Sequence, residues 1–590
     1  MVTECEHEVE EFISPIFLRP KGKDQYRMIL NLKEFNKNLE TIHFKMDTIY
    51  SVLDLITPNC YMGSIDLKDA YYSVPIDDAY QKYFKFVFNN TLYKFLCLPN
   101  GYCHGPRKFT KLLKPVLALL RLQGHILAAY IDDMLNIGSD YDECVRNIID
   151  TIYYFTKLGF NIHPEKSCLV PAQEIVFLGF VINSVKMTVQ LTLEKKVEIR
   201  NMSIDILKNP YISIRALASF IGKITASFPG VRCGPLHYRN LERDKCDALK
   251  LNKGNFDKCM YVKTDGLQEI LWWKDNVTNS FANIFLGNPD IIIETDACPT
   301  GWGAVFNEEK AHGGWKMGER DNHINVLELR AILLGLKTHT RGIKNKHILV
   351  KCDNMTAVCG MNKMGSVRSA ECDEIIREIW EFIIENENWI TVSYIPGKEN
   401  LEADAESRVD HYDNKEWMLD RKVFTKLMVK YTVDPKIDLF ASRLNYQLKP
   451  FMAFKPDPEA LCINSFTIDW ATWSPFYAFP PFLIITKVLQ KVQEDRAEGI
   501  IIIPYWPNQI WFPIIMRMIT KNPIILPSRK HLLHQPQSPE LHHPLLPKMK
   551  ILACYISGNL WKSKEFLAKS QSSSLMDGVM VNKIANNSDF

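Results

Sequence analysis

Alternating apolar and polar residues dominate the first third of the chain and predict short β-strands joined by tight turns. Residues 12–36, FISPIFLRPKGKDQYRMILNLKEFN, alternate on both sides of a Lys/Gly-rich turn, which is typical of a hairpin. Residues 125–139, HILAAYIDDMLNIGS, predict a second hairpin that turns around two adjacent carboxylates. Between these hairpins, residues 95–117 predict a strand, a Pro/Gly turn and a helix.

Carboxylates stand at the ends of two apolar runs. Asp132 and Asp133 lie at the tip of the second hairpin, and Asp66 ends the run in YMGSIDLKDAYYSVPI. Carboxylates on a buried hairpin are costly unless another charge compensates them, and divalent metal ions do so. On neighbouring strands the three side chains would hold two Mg²⁺, the arrangement that nucleotidyl transfer uses. The alternative is a solvated Asp-Asp turn.

Basic residues accompany these strands. The first hairpin carries cations that would suit the triphosphate of an incoming nucleotide, or else form a solvated strand edge. These cations are Lys21, Lys23 and Arg27. The helix of residues 95–117 carries Lys108, Lys111 and Lys114 about one turn apart, so they lie near one face. That face would contact a template backbone or only solvent.

The middle of the chain passes from helical to mixed patterns. Amphipathic runs predict mostly helices over residues 187–285, either a support for a nucleic-acid duplex or a structural spacer. Residues 291–408 then alternate strands and helices, and one acid falls near an end of each of four elements. Glu328 is expected in the first turn of its helix. The four acids are Asp296, Glu328, Asp353 and Asp404. Each alone would be a helix cap or a surface charge.

Strands and helices are also expected in the last third. Residues 437–518 predict strand, loop, strand, helix and strand, as in an α/β sheet. Residues 499–519 are strongly apolar, but Pro504, Pro507 and Pro513 interrupt them, so we expect a buried strand and a loop rather than a membrane span. The tail from Gln535 is Pro/His-rich and then Ser/Asn-rich, which predicts linker and disorder.

Length and composition set wider bounds. The 590 residues and 68.3 kDa suffice for three or four domains. The net charge of +3 gives no global field for nucleic acid, so any basic track is local, as in residues 221–245. The fifteen cysteines form no C-x-x-C pair, which is typical of scattered thiols in a reducing compartment. The acidic N-terminus lacks a signal peptide's apolar core. We expect an intracellular protein of cytoplasm, nucleus or both, neither secreted nor membrane-bound.

Five spaced motifs in the first third resemble a retroelement reverse transcriptase of the gypsy-like kind. They are LKDAY after Asp66, LPNG, YIDD, GFNIHPEKS and FLGFVI. The resemblance implies that Asp66, Asp132 and Asp133 are catalytic metal ligands for two Mg²⁺. It implies that Tyr71 gates the sugar, although a core tyrosine is equally expected from spacing alone, and that FLGF grips the primer. The substrate-binding residues that it implies are Lys21, Lys23, Arg27, Tyr71, Asn100 and Lys166.

The LPNG turn departs from the usual form of such enzymes. Related elements commonly read Pro-Phe-Gly followed by small residues and Ala-Pro. Here Asn100, Tyr102, Cys103, His104 and Gly105 occupy that stretch. The resemblance places these altered residues at the nucleotide pocket.

The four acids of the middle segment stand in contexts that resemble RNase H. These contexts are TDA-x-x-x-GWGA, LEL, CDN and N-x-x-AD-x-x-SR. The resemblance implies that Asp296, Glu328, Asp353 and Asp404 hold two Mg²⁺ that position water for attack on an RNA phosphate. Two positions depart from the family: Tyr394 replaces a histidine that assists turnover, and Glu406 replaces an apolar residue.

The last third resembles the adenine-methylase-like domain of DIRS-type retrotransposons. Adenine methylases place Asp or Asn before a Pro-Pro-aromatic motif, whereas this chain has Phe479 before Pro480-Pro481-Phe482. Phenylalanine cannot accept hydrogen bonds from the target amine, so we expect a degenerate domain with a packing or nucleic-acid-handling role. Asp438 would contact a cofactor or be a structural acid. A DIRS-type element also has a tyrosine recombinase, so we expect a truncated chain with the recombinase encoded separately.

The expected fold class is a multidomain α/β and α+β protein, with a right-hand polymerase, an RNase H-like fold and a degenerate methylase-like α/β domain. The expected divisions are 1–186 fingers and palm, 187–288 thumb and connection, 289–410 RNase H-like, 411–436 linker, 437–534 methylase-like, and 535–590 linker or disordered tail. The expected function is RNA-directed DNA polymerase with RNase H activity. The expected partners are an RNA template, a DNA primer, RNA-DNA hybrid and dNTPs. The alternative is a catalytically impaired relic that only binds nucleic acid.

Overall fold

A computed structural model describes the chain except for residues 23, 24, 41, 285, 286, 367, 368, 409–416, 537 and 572–590. It also leaves out the side chains at positions 21, 22, 25, 27, 538–540, 542, 547, 570 and 571. The chain divides into two compact units, Met1–Leu286 and Gly287–Phe590.

The first unit combines short sheets with helices. Its strands are Val2–Glu4, Ile16–Gly22, Gln25–Leu30, Tyr61–Lys68, Lys85–Phe88, Thr91–Phe95, Ile126–Tyr130, Asp133–Gly138, Asn161–Ile162, Cys168–Ala172, Glu174–Phe177, Phe180–Asn183, Thr188–Leu191, Tyr211–Ser213, Cys259–Tyr261 and Ala282–Asn283. Its α-helices are Lys33–Asn36, Ile49–Leu53, Asp78–Gln81, Gly105–Leu122, Tyr141–Lys157, Leu193–Lys208, Ile214–Ala226, Arg239–Leu251 and Thr264–Asn276.

The sequence predictions for this unit are largely confirmed. Ile16–Gly22 pairs with Gln25–Leu30, and Ile126–Tyr130 pairs with Asp133–Gly138, as the two expected hairpins. The FLGFVI motif forms a third hairpin, in which Phe177 pairs with Phe180. The expected helix after the LPNG turn is Gly105–Leu122, and helices dominate residues 193–276.

A central antiparallel sheet organises the first unit. Its strand order is Cys168–Ala172, Tyr61–Lys68, Asp133–Gly138 and Ile126–Tyr130, with Asn161–Ile162 pairing on Tyr61–Lys68. Helix Tyr141–Lys157 packs on this sheet because its apolar residues recur at helical spacing. These include Cys144, Ile148 and Phe155, all buried. The Asp140 side chain begins the helix by accepting a hydrogen bond from Glu143 N–H.

The second unit contains a five-stranded mixed sheet. Its strand order is Glu309–Gly314, Gly301–Phe306, Ile291–Ala297, His347–Cys352 and Trp389–Tyr394, and its last three strands run parallel to one another. Helix Ile324–His339 is buried against this sheet. Three further helices accompany it, Met355–Asn362, Ala370–Glu385 and Leu401–Ser407.

The C-terminal part of the second unit is an α/β layer. Its sheet order is Phe476–Ala478, Glu498–Pro504, Ile551–Ser557 and Ile524–Ile525. The remaining strands are Met418–Leu419, Met452–Ala453, Cys462–Ile463, Leu533–Gln535 and Ser538–His542. The helices are Arg421–Tyr431, Ile485–Glu494, Phe512–Met518 and Leu560–Gln571. Within the described residues, no helix is long and apolar enough to cross a membrane.

Two of the expected divisions are wrong. The segment expected as a linker at 411–436 lies partly outside the described residues, but Arg421–Tyr431 is a helix whose apolar side is buried. The tail expected to be disordered from 535 contains Ile551–Ser557, a wholly buried strand that pairs along Glu498–Pro504. The helix and the strand were not predicted because each is a short apolar run beside polar residues. The α/β layer therefore extends beyond residue 534.

Candidate active sites

Three acids meet at one end of the central sheet in the first unit. Asp66 and Asp133 are directly opposite each other in the antiparallel register of their strands. Asp132 lies in the turn between Ile126–Tyr130 and Asp133–Gly138, and its carbonyl accepts a hydrogen bond from Leu67 N–H. The turn is tight enough that Ile131 adopts a left-handed φ of 57°. The structure therefore brings together the three residues that the sequence singled out.

Electrostatic repulsion is built into this first cluster. Burial raises the pKa of Asp133 to about 6, and the charges of Asp132 and Asp66 add to the effect. Lys166 opposes the shift, and its Nζ lies 4.0 Å from Asp66 Oδ2. Hard carboxylate oxygens that repel one another in a half-buried site fit a divalent cation, because the cation would neutralise them. The three carboxylates therefore supply the hard oxygen donors that the metal implied by the sequence requires.

The backbone around Asp66 is fixed by the segment that carries Lys166. The Ser167 hydroxyl accepts a hydrogen bond from Asp66 N–H at 3.0 Å, and His163 N–H donates to the Asp66 carbonyl at 2.8 Å. The GFNIHPEKS motif thus holds Lys166 beside the acids. Lys166 is half-exposed, so its ammonium faces both the cluster and solvent.

For the other residues expected to bind substrate, the structure describes some side chains and leaves out others. Lys23 lies outside the described residues, as do the side chains of Lys21 and Arg27, although both backbones belong to the first hairpin. Tyr71 packs edge-to-face on Phe109 at 5.5 Å. Burial, followed by the nearby Asp132 charge, raises the pKa of Tyr71 to about 12. Tyr71 is therefore a partly buried residue that packs against the core, and it is a neighbour of the acids.

The unusual LPNG turn is anchored on both sides. Asn100 Nδ2 donates to the Tyr72 hydroxyl at 2.9 Å, and Asn36 Nδ2 donates to the Gly101 carbonyl at 2.9 Å. Gly101 has a φ of 104°, and a Cβ there would lie 2.8 Å from the Leu30 carbonyl oxygen. Glycine is required here because both the conformation and the space exclude a side chain. Asn100 is thus a framework residue between Tyr72 and the turn.

A second acidic cluster forms in the five-stranded sheet of the second unit. Asp296 lies near the end of Ile291–Ala297, and Asp353 directly follows the adjacent parallel strand His347–Cys352. Glu328 reaches them from helix Ile324–His339, and Asp404 from helix Leu401–Ser407. Glu328 is the fifth residue of its helix, so the expectation of the first turn is wrong. The helix begins earlier than a first-turn Glu328 requires, at Ile324, where the His323 side chain caps it by accepting from Asn325 N–H.

Burial and mutual repulsion raise the pKa values in this second cluster. Burial raises the pKa of Asp296 to about 6 and that of Glu328 to about 9, with repulsion from neighbouring acids as a further cause. Burial also raises the pKa of Asp353, and Asp404 contributes. The possible ligand atoms of Glu328, Cys352 and Asp353 lie within 4.8 Å of one another. Of the four acids, Glu328 and Asp353 therefore come close enough to share a divalent cation.

Three residues around the second cluster had no role assigned from sequence. The Ser407 hydroxyl donates to Asp296 Oδ2 at 2.6 Å, and the buried Asn400 donates through Nδ2 to the Thr295 carbonyl at 3.0 Å. Arg408 clamps Asp404 Oδ1 through Nε at 2.8 Å and Nη2 at 2.7 Å. The signal for the clamp was present, because an Asp and an Arg four residues apart on a helix are neighbours.

The two departures noted in the sequence have distinct surroundings. Tyr394 ends strand Trp389–Tyr394 and is about half exposed. Glu406 is largely buried, and its Oε2 lies 2.6 Å from His312 Nδ1 on the neighbouring strand Glu309–Gly314. Glu406 is thus not an apolar packing residue but one half of a polar pair that ties the helix of Asp404 to the sheet edge.

Comparison with known proteins identifies the first part of the chain. Residues 19–182 match the family model described as "Reverse transcriptase (RNA-dependent DNA polymerase)". This segment is a reverse transcriptase domain. The match begins inside the first hairpin, at residue 19, and includes all three acids of the first cluster and the FLGFVI motif. The resemblance to a reverse transcriptase is confirmed at this level.

Retroelement polyproteins are similar over a longer stretch than this reverse transcriptase domain. The retrovirus-related Pol polyprotein from transposon 412 of Drosophila melanogaster is 24% identical over 435 residues, 68% of this chain and 32% of the relative. The corresponding polyprotein from transposon gypsy is 23% identical over 438 residues, 70% of this chain and 39% of the relative. The chain thus spans about a third of the length of these curated relatives.

A solved structure with partial likeness comes from a foamy virus. It is described as the foamy viral protease-reverse transcriptase dRH in complex with ds DNA. The structural alignment covers 67% of this chain and 66% of the foamy virus chain, with 17% sequence identity and a TM-score of 0.43.

Proposed function

We propose that this chain copies RNA into DNA and cleaves the RNA strand of the resulting RNA-DNA hybrid, with Mg²⁺ in two separate sites. The observation that carries the proposal is the pair of acidic clusters, one inside the reverse transcriptase domain and the other in the second unit. Each cluster gathers acids from different elements and raises the pKa of at least one of them. Such clusters are typical of metal-dependent phosphoryl-transfer sites.

In the polymerase site, Asp66, Asp132 and Asp133 would hold two Mg²⁺, which would lower the pKa of the attacking hydroxyl and stabilise the leaving oxygen. Lys166 lies beside Asp66 and would place a positive charge near the phosphates of the dNTP. Tyr71, held by Phe109 next to Asp132, would line the sugar side of the pocket. The acids, Lys166 and Tyr71 would thus contact the metal ions, the phosphates and the sugar, respectively.

In the second site, Asp296, Glu328, Asp353 and Asp404 would hold the two Mg²⁺ of an RNase H-like centre. Ser407 orients Asp296 by a hydrogen bond. Asn400 connects helix Leu401–Ser407, which follows it, to the strand that carries Asp296. The sheet order, with parallel strands ending at Asp296 and Asp353, supports an RNase H-like assignment. This centre would be an endonuclease for the RNA of a hybrid.

The remaining expectations form part of the same proposal. The substrates would be an RNA template, a DNA primer and dNTPs, with the helices of residues 187–288 as thumb and connection. The retroelement would be of the DIRS type, with a tyrosine recombinase encoded separately and a degenerate methylase-like layer at the C-terminus. Replication of such an element would take place in the cytoplasm, the nucleus or both.

The proposal is tested by removing one site at a time. Primer extension on an RNA template and cleavage of a labelled RNA-DNA hybrid are measured with Mg²⁺ for the wild type, Asp133→Asn and Glu328→Gln. We expect Asp133→Asn to abolish extension and retain cleavage, and Glu328→Gln to do the reverse. Both substitutions preserve side-chain size, so circular dichroism and hybrid affinity should stay at wild-type values.

Two outcomes would contradict the proposal. If the folded wild type binds the hybrid but neither extends nor cleaves, the chain is a nucleic-acid-binding relic. If one substitution abolishes both activities, the two clusters do not act as separate sites.

A further inference from the structure

The helix that carries Glu328 is bonded at both of its ends to one segment of the C-terminal α/β layer. The helix is Ile324–His339, and the segment is 443–461. Both belong to the second unit. Because Glu328 is one of the four acids of the second cluster, any contact that fixes the helix also fixes the position of this acid.

Arg443 reaches the connecting segment 315–323, which precedes this helix. Its Nη2 donates to both carboxylate oxygens of Glu319, at 2.6 and 2.5 Å, and its Nη1 donates to the Gly314 carbonyl at 3.2 Å. Its Nε donates to Glu459 Oε1 at 3.2 Å. Arg443 is 5% exposed, so these acceptors replace water around a buried guanidinium.

Glu319 also contacts the helix itself. Its Oε1 accepts a hydrogen bond from Arg330 Nη1 at 3.4 Å, and its Oε2 accepts from Lys316 N–H at 2.8 Å. Burial would raise the pKa of Glu319, but the charge of Arg443 outweighs burial, so this pKa lies below its ordinary value. Arg330 and Glu328 are two residues apart, which places them on opposite sides of a helix. Glu319 therefore holds the helix on the side opposite to Glu328.

Arg341 provides the contact at the other end, just after the last turn of the helix. Its Nη1 donates to the Ala460 carbonyl and, at 3.4 Å, to the Leu461 carbonyl, and its Nη2 donates to the Pro458 carbonyl at 3.2 Å. These carbonyls flank Glu459, so the same short segment is bonded to both ends of the helix.

The charges on the two sides of this contact are complementary. The connecting segment supplies Lys316 and Glu319, while the layer supplies Arg443 and Glu459, and Lys316 Nζ lies 2.5 Å from Glu459 Oε1. Buried ion pairs add little net stability, because the loss of hydration offsets their attraction. A planar guanidinium with several fixed acceptors instead permits one geometry. The contact is therefore suited to fixing the position of the helix.

We propose that Arg443 and Glu319 are positioning residues for the second acidic cluster, and that they fix the helix from which Glu328 reaches the other acids. The C-terminal layer thereby contributes to cleavage of the hybrid through this helix, without supplying a group that touches the substrate. This inference rests on the proposed function of the second cluster. It gives the layer a role that needs no methyl transfer.

The test is single-turnover cleavage of a labelled RNA-DNA hybrid by the full chain, over a range of enzyme and Mg²⁺ concentrations. Arg443→Met removes the four side-chain hydrogen bonds. Arg443→Lys keeps the charge without the planar fork, and Arg341→Met removes the contact at the far end. We expect both Arg443 variants to lower the maximal cleavage rate roughly tenfold, and Arg341→Met to lower it less. The Mg²⁺ concentration for half-maximal cleavage should rise.

Two substitutions are matched controls. Lys449→Gln removes a cation that pairs with Glu459 at 2.7 Å but, among the described residues, has no hydrogen bond or ion pair with residues 314–341. Lys344→Met removes a cation that follows the same helix but pairs with Glu387 at 3.7 Å. Both controls should cleave the hybrid at the wild-type rate, and primer extension should match the wild type in every variant.

The dependence on enzyme concentration separates positioning from loss of fold. A variant that is partly unfolded needs more enzyme for half-maximal cleavage but reaches the wild-type maximal rate, because its folded fraction is intact. A variant with a misplaced helix has a lower maximal rate and an unchanged half-maximal enzyme concentration. We expect the second result for Arg443→Lys.

Hydrogen exchange in EDTA tests the same contact without metal or activity. Amides of helix Ile324–His339 should exchange faster in Arg443→Lys than in the wild type, while those of strand His347–Cys352 should not change. A wild type that does not cleave would contradict the proposed function, and the exchange measurement would still decide whether Arg443 fixes the helix.

Two results would overturn the inference. One is a wild-type maximal rate together with wild-type exchange in both Arg443 variants. The other is a rise in the enzyme concentration for half-maximal cleavage at an unchanged maximal rate, because Arg443 would then only stabilise the fold.

Discussion

Replacing Gly303 with alanine tests whether close packing of helix Leu401–Ser407 on the sheet sets the geometry of the second acidic cluster. Gly303 lies opposite Asp296 in the antiparallel register of their strands. A Cβ at this position would lie 2.4 Å from the Ala403 carbonyl oxygen and 2.5 Å from Ser407 N. Both neighbours are backbone atoms of the helix that carries Asp404, so no side chain can rotate away to make room.

The size of the perturbation follows from these distances. Ordinary contact begins at 3.4 Å, so the helix backbone must retreat by about 1 Å from the new methyl group. That displacement would stretch the 2.6 Å bond between Ser407 and Asp296 and would carry Asp404 away from Asp353. A misplacement of about 1 Å at a catalytic site can cost roughly 100-fold in rate.

The assay is cleavage of a labelled RNA-DNA hybrid under single-turnover conditions with saturating Mg²⁺. We expect cleavage to fall roughly 100-fold in Gly303→Ala. Primer extension should be unchanged, because Gly303 belongs to the second unit and the acids of the first cluster belong to the first unit. Gly222→Ala is the control, because a Cβ there meets nothing within 4 Å.

A folded Gly303→Ala protein that cleaves the hybrid at the wild-type rate would show that close packing at Gly303 does not set the geometry of the second cluster. It would mean that the second cluster tolerates movement of the helix, or that Asp404 is not part of the site. Loss of extension together with cleavage would indicate general misfolding rather than a local shift.

Three other substitutions give independent tests. Arg408→Ala should tighten Mn²⁺ binding to the second cluster, measured by calorimetry, because the clamp on Asp404 competes with the metal; unchanged affinity would contradict that competition. Burial raises the pKa of Asp438 to about 7, so its proton stabilises the folded state at low pH and this contribution is lost as the pH rises towards 7. The free energy of unfolding of the wild type relative to Asp438→Asn should therefore fall by roughly 4 kcal/mol between pH 4 and 8 in denaturant titrations, and a constant difference would contradict the shift. Gly101→Ala should abolish primer extension, because its methyl group would lie 2.8 Å from the Leu30 carbonyl, and wild-type extension would contradict the need for this turn.

The sequence predicted the elements of the reverse transcriptase domain well because their signals are local. Alternation over a few residues identifies a hairpin, and YIDD marks its own turn. The pairing of Asp66 with Asp133 could be inferred only because both residues ended apolar runs. Its register, which places them directly opposite each other, depends on the whole sheet.

Contacts between distant residues escaped prediction. Lys85 is completely buried and pairs with Glu8 at 3.0 Å and Glu11 at 2.7 Å. The residues next to Lys85 in the sequence do not indicate these ion pairs. The bond between Ser407 and Asp296 likewise depends on how closely a helix approaches Gly303. Such contacts arise from tertiary packing, for which residue spacing carries little information.

The wrong prediction of a disordered C-terminal tail came from its average composition. The run ILACYIS is short and lies between Pro/His-rich and Ser-rich stretches, so average composition outweighed it. The structure shows that all seven of its residues are buried, because it pairs along Glu498–Pro504 within the sheet. A short apolar run with β-branched and aromatic residues is stronger evidence for a strand than the polar residues beside it are against one.

The presence of two separate metal sites is tested most directly by locating metal ions in crystals soaked with Mn²⁺, using the anomalous scattering of manganese. We expect one group of peaks among Asp66, Asp132 and Asp133, and a second among Asp296, Glu328, Asp353 and Asp404. Crystals of the variant Asp133→Asn should lose or weaken peaks in the first group alone. Absence of manganese from the first group in the wild type, with both clusters open to solvent, would contradict the proposal that this reverse transcriptase domain is a metal-dependent polymerase.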